Sequence, residues 1–121
     1  MNKKILIVED ELPIGKALEI KLGKSGYTVE VAKNGQEALD LLKVNSYDLM
    51  LLDLMMPLVD GWSVLEQIKN QNIAIKVIVT SNLSQDEDIT RAKSLGAVDF
   101  LVKSNESLQD IVAEVERVLI Q

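Results

Sequence analysis

The sequence of 121 residues contains no cysteine and no histidine. Disulfides, thiolate or imidazole metal sites, cysteine nucleophiles, Ser-His-Asp relays and histidine pH switches are thereby excluded, and any metal must be held by oxygen. Two prolines, six glycines and 3% aromatic residues leave no biased or linker-like stretch. The longest apolar run is four residues, as in Ile5–Val8, against about 20 for a bilayer span and about 7–15 for a signal-peptide core. The expected location is the cytoplasm, with no membrane partner. Basic charge is also short: 13 Lys and Arg against 19 Asp and Glu, a net charge of -6, so the phosphate attraction that drives direct nucleic-acid binding is missing. What is present, 47% apolar and 26% charged residues, is the profile of one compact domain over residues 1–121, of a size that buries roughly two-thirds of its unfolded surface.

The apolar residues fall into a repeating order. Lys4-Ile5-Leu6-Ile7-Val8 is a β-branched run that stops at Glu9-Asp10-Glu11 and reads as a strand buried on both faces. Pro13 suits a first helical position, and Ile14, Ala17, Leu18 and Leu22 recur at helical spacing, predicting a helix over 12–24. Thr28-Val29-Glu30-Val31 alternates and is expected at a sheet edge. Asn34 and Glu37 have capping-box spacing before a helix over 35–44. Residues 48–53 form a second buried strand ending in Asp53, followed by a loop punctuated by Pro57 and Gly61 and a helix over 61–70. Residues 75–79 make a strand that runs into Thr80-Ser81. Ser84 and Glu87 form another capping box, for a helix over 86–95 with Gly96 after it. Val98–Val102 is the fifth strand, closed by Lys103. Ser104 or Asn105 is expected to cap a last helix that buries Leu108, Ile111, Val112, Val115 and Leu119.

Five alternations of strand and helix favour a three-layer α/β architecture, a parallel sheet between helices built with right-handed crossovers. In such sheets ligands sit outside the carboxyl ends of the strands. Here those ends carry Glu9-Asp10, Asp53, Thr80-Ser81 and Lys103. Two carboxylates ~4 Å apart repel by about 4 kcal/mol at an effective dielectric near 20, so three together need a proton, an amine or a cation. With nitrogen and sulfur ligands absent, a hard divalent cation is the natural occupant. Mg²⁺ takes one or two carboxylates, keeps several waters and commonly binds a phosphate oxygen as well. A lysine, a hydroxyl and a carboxylate nucleophile complete a set suited to phosphate chemistry. Residue chemistry alone leaves open which carboxylate is attacked and what donates the phosphoryl group.

Five segments, in order and at matching spacing, resemble the receiver (CheY-like) domain of two-component response regulators along the whole chain. They are Ile5-Leu6-Ile7-Val8-Glu9-Asp10-Glu11, Leu51-Leu52-Asp53-Leu54-Met55-Met56-Pro57, Asp60-Gly61, Thr80-Ser81 and Phe100-Leu101-Val102-Lys103. The resemblance implies a doubly wound five-stranded sheet of flavodoxin-like order 2-1-3-4-5 with helices on both faces. It implies that Asp53 accepts a phosphoryl group from a sensor histidine kinase, a histidine phosphotransfer protein or a small phosphodonor. Mg²⁺ or Mn²⁺ would be bound by Asp10 and Asp53 directly, by Glu9 through water and by the Met55 backbone carbonyl. Lys103 and Thr80 would contact the phosphoryl oxygens, helped by backbone N–H groups near Met55 and Ser81. The domain would catalyse only its own phosphorylation and dephosphorylation. The charged group would draw Thr80 inward, let Phe100 swing into the vacated space, and change the surface of helix four, strand five and helix five for a downstream protein.

Each residue also has a plainer explanation. Glu9–Glu11 suit a solvated helix start, Asp53 a turn, Thr80 a strand-end hydroxyl and Phe100 an ordinary core position; none of these accounts for the full set. Ser104 stands where a proline is usual in the family, which opens the geometry of the Lys103–Ser104 peptide. Met55 and Asn82 lie two residues after Asp53 and Thr80, where family members tune the access of water to an acyl phosphate. Three competitors are an unphosphorylated scaffold of the same fold, an aspartyl-nucleophile Mg²⁺-dependent phosphatase, and a flavodoxin-like cofactor carrier. The last needs a Ser/Thr/Gly-rich phosphate cradle where Glu9-Asp10-Glu11 stand. No output domain is expected within these residues.

Overall fold

β-branched and long aliphatic side chains with no polar alternation build the middle of the sheet. The computed structural model describes residues 2–120. Its strands are β1 (Lys4–Val8), β2 (Thr28–Ala32), β3 (Leu49–Asp53), β4 (Lys76–Ser81) and β5 (Asp99–Val102), and its helices are α1 (Leu12–Lys24), α2 (Gly35–Val44), α3 (Gly61–Asn70), α4 (Asp86–Ser94) and α5 (Leu108–Leu119). All strand pairs are parallel, in the order β2-β1-β3-β4-β5, the doubly wound order that the family resemblance implies. Every residue of β3 is buried, whereas β2 buries only Ala32, as its edge position requires.

Successive side chains of a strand point to opposite faces, which divides the core in two. Leu6, Val8, Met50, Leu52, Val77, Val79 and Phe100 pack toward α2, α3 and α4. Ile5, Ile7, Leu49, Leu51, Ile78 and Leu101 pack against Leu18 and Leu22 of α1 and Ile111, Val115 and Val118 of α5. Strand order reverses between β1 and β3, so the chain leaves them toward opposite layers and opens a crevice at their carboxyl ends.

The helix ends show where sequence spacing misleads. Asn34 accepts from the Glu37 N–H at 2.8 Å as expected, but the Glu37 carboxylate takes the Lys33 N–H, one residue beyond the capping-box partner. Ser84 caps nothing: α4 begins after Gln85, which makes no side-chain cap bond, and the acidic first turn of Asp86, Glu87 and Asp88 faces the helix dipole instead. Neither Ser104 nor Asn105 caps α5. Residues Lys103–Asn105 form a 3₁₀ turn, and Ser107 with Asp110 makes the reciprocal capping box two residues further on. The Lys103–Ser104 peptide is trans, as are all peptides among the described residues. The predicted α5 core holds with Val118 added and with Leu108 only half-buried. Asp60, not singled out by periodicity, caps α3 through the Ser63 N–H at 3.0 Å. Gly61 beside it is a close approach: a Cβ there would lie 2.4 Å from the Asp53 carbonyl oxygen and 2.6 Å from the Leu54 Cα.

Three outcomes are expected in urea unfolding. Ser107→Ala should cost ~1 kcal/mol as a lost cap, while Ser84→Ala should stay within about 0.5 kcal/mol of the parent. Gly61→Ala should cost about 1–3 kcal/mol, because the atoms it would meet are backbone that cannot turn aside.

Candidate phosphoacceptor site

Four strand ends converge on the crevice. Glu9 follows β1 and is kept in line with the sheet by its N–H, which donates to the Ala32 carbonyl at 3.0 Å. Asp53 is the last residue of β3 and is registered against Thr80 of β4. Lys103 follows β5 directly. Glu9, Asp53, Thr80 and Ser81 are all buried, at 2%, 4%, 5% and 0% exposure. Such burial of charge is costly unless the charges face one another.

They do face one another. Lys103 Nζ donates to both oxygens of Glu9, at 2.6 and 2.8 Å, and to Asp53 Oδ2 at 3.2 Å. Glu11 lies at the margin, 3.9 Å from the same ammonium. The other Asp53 oxygen accepts from the Met55 N–H at 3.1 Å. Carboxylate oxygens of Glu9, Asp10 and Asp53 lie within 4.8 Å of one another. Ser81 uses its hydroxyl locally, accepting from the Leu83 N–H at 3.1 Å. The Met55 side chain is exposed.

One ammonium among three carboxylates leaves an excess of negative charge, and the excess shows on Glu9. Burial pushes its pKa up to about 7, against the pull of its hydrogen bond to Lys103 and with the Asp53 charge pushing the same way. For Lys103, burial acts to lower the pKa, but the hydrogen bond and charge of Glu9, followed by Asp53, outweigh it and hold the ammonium above its ordinary value. A site of this kind fits a hard divalent cation on three counts: every donor is oxygen, the donors are close enough to share one ion, and the lysine alone does not neutralise them. Asp10 is more open to solvent than the other two acids.

The structure thus brings together Glu9, Asp10, Asp53 and Lys103, with Thr80 in register beside Asp53. Phe100 stands apart. Its ring is already inside, 9% exposed, in the cluster facing α2–α4, and it pairs in register with Val79 rather than with Thr80. The expected outward-to-inward swing therefore starts from a buried ring. The resemblance places Lys103 against phosphoryl oxygens and names no acid for it; the structure gives it Glu9 at 2.6 Å and Asp53 at 3.2 Å. Glu9 is one methylene longer than Asp, and that extra reach was the available signal.

Comparison with known proteins agrees along the chain. The response regulator receiver domain family matches residues 5–116. The alkaline phosphatase synthesis transcriptional regulatory protein PhoP of Bacillus subtilis (strain 168) is 35% identical over 119 residues, covering 98% of this chain and 49% of that protein. The transcriptional regulatory protein CusR of Escherichia coli (strain K12) is 36% identical over 100 residues, covering 83% and 44%. The chain thus spans about half the length of these curated relatives. Among solved structures, the receiver domain of the Francisella response regulator 1452 superposes with a TM-score of 0.91 at 33% identity, covering 98% of this chain and 97% of that one. The BeF3-activated DrrB receiver domain gives 0.88 at 27% identity, with both chains covered completely. With that sheet order, that rim of acids and a family match over nearly its whole length, this chain belongs to the response regulator receiver domain family, whose members are signalling domains rather than conventional enzymes.

Proposed function

We propose that this domain receives a phosphoryl group on Asp53 from the phosphohistidine of a sensor histidine kinase or histidine phosphotransfer protein, or from a small phosphodonor. The observation that carries the reading is Lys103, whose ammonium reaches an acid 94 positions away and another 50 positions away and is held between them. Family membership supports it as well. An Asp53 oxygen attacks phosphorus, the bond from phosphorus to the donor nitrogen breaks, and its electron pair stays on the imidazole. Mg²⁺, or Mn²⁺, supplies neutralisation of the phosphoryl oxygens when bound. Asp10 and Asp53 would hold it directly, with Glu9 acting through water and the Met55 carbonyl as a further ligand. Lys103 exchanges Glu9 for a phosphoryl oxygen. The Thr80 hydroxyl and the N–H groups near Met55 and Ser81 donate to the remaining oxygens.

The response surface we assign is α4, β5 and α5. Helix α4 buries only Ala92 and is tied to α3 by long side chains: the Arg91 guanidinium lies 4.2 Å from the Trp62 ring centroid, Arg91 also pairs with Glu66 at 3.9 Å, and Lys69 Nζ donates to the Ser94 carbonyl at 2.9 Å. An element held this way moves at low cost. Movement of Thr80 and Lys103 toward a phosphoryl group is the input, and the partner that reads the output is a protein. Direct nucleic-acid contact by these residues is not proposed, given the net charge of -6. None of the helices is long and apolar enough to cross a membrane among the described residues, and a cytoplasmic location is part of the proposal.

Incubation with Mg²⁺ and acetyl phosphate should give a mass gain of one phosphoryl group that alkali removes and that Asp53→Asn abolishes. No gain, together with no binding of beryllofluoride, would favour the unphosphorylated scaffold. In metal-free buffer Asp53→Asn should melt at the parent temperature or above, since it removes one of several crowded like charges. Asp10→Ala should lose Mg²⁺ binding by calorimetry while its far-UV circular dichroism stays unchanged; retained affinity would refute the ligand assignment.

A further inference from the structure

Beneath the Lys103–Glu9 pair, between the sheet and helices α1 and α5, lies a cavity of about 120 Å³. Ile7 and Leu51 line it from the sheet, Leu18 from α1 and Ile111 from α5, all of them buried. Ile14 and Leu108, both half-buried, form its outer edge. Its polar lining is Glu9, Thr80 and Lys103 at one end, with the half-buried Glu106 beside Leu108 at the edge. The Glu9 and Lys103 head groups are bonded to each other, and the exposed part of the lining is mainly apolar. Ordered water needs two to four polar partners, and an apolar cavity of about 150 Å³ stays dry and takes up benzene or xenon. The atoms lining such a void lack dispersion partners on one side, and a guest restores them.

We propose that this cavity is a binding site for one small uncharged apolar molecule of benzene size, and that its occupancy favours the arrangement in which Lys103 is held by Glu9. The second half follows from the shared wall. A cation among the acids, or a phosphoryl group on Asp53, separates the Lys103 and Glu9 head groups and so reshapes the end of the cavity that they form. The guest fits the arrangement with the pair intact, and by linkage it opposes whatever parts them to the same degree. This coupling rests on the assignment of Mg²⁺ to the acidic cluster, whereas the site itself does not.

Titration of the full chain with benzene, or under xenon pressure, is followed by methyl resonances. Saturable shifts at Leu18, Leu108 and Ile111 are expected, and Mg²⁺ affinity measured calorimetrically should fall at least twofold at saturation. Ile14→Phe and Leu108→Phe, placed on two different helices so that one misfolded variant does not end the test, should fill the space, abolish the saturable shifts and weaken Mg²⁺ binding without any guest. Absence of saturable shifts in the parent, or shifts that persist in a folded filled variant, would overturn the site. Equal Mg²⁺ affinity with and without guest would overturn the coupling. Failure of the guest-free parent to bind Mg²⁺ would remove the metal assignment and the coupling together, leaving the methyl shifts to decide the site.

Discussion

One ammonium group shared between two buried carboxylates organises the carboxyl edge of this sheet. Lys103 lies 2.6 Å from Glu9 and 3.2 Å from Asp53, and the acids sit at the ends of β1 and β3, where strand order reverses. Burial of an ion pair is poor evidence for stability, since the desolvation penalty offsets much of the attraction. Its better reading is poise. The acids outnumber the lysine, and burial raises the Glu9 pKa to about 7, so the edge carries more negative charge than its lysine offsets.

The fold serves that edge through backbone approaches as much as through side chains. Gly61 lets the start of α3 press against the carbonyl of Asp53, and its N–H closes on the Leu54 carbonyl at 3.0 Å. Gly35 does the same on the other side of the loop: its N–H donates to the Val59 carbonyl at 3.1 Å, and a Cβ there would lie 2.0 Å from that oxygen. The loop from Asp53 to Asp60 is therefore gripped at both ends, with Leu58 turned into the left-handed region at φ 66° and left exposed. Asp53 thus stands at the junction of a fully buried strand and a clamped loop.

The opposite behaviour is found at α4. The clamped loop after Asp53 and the lightly anchored α4, which buries only Ala92, differ in how many apolar contacts hold them. Arg91 over Trp62 and Lys69 on the Ser94 carbonyl are exposed tethers, worth little individually in water.

Element order, parallel pairing and the residues that close each strand could all be read from the amino acids alone, because they depend on local periodicity and on where apolar runs stop. The edge position of β2 was legible for the same reason: its alternation in Thr28–Val31 shows one solvated side. Helix caps were only half legible. Ser84 and Ser107 are both serines ahead of an acidic residue at the right spacing, and only the loop before each decides which one meets the helix axis. The choice of Glu9 over Asp53 as the main partner of Lys103, the already buried ring of Phe100 and the cavity beneath the pair belong to tertiary structure. They depend on distances of a few ångströms between segments 50 to 94 residues apart, and such distances are set by how two layers of helices pack on a twisted sheet, a quantity that no local pattern contains.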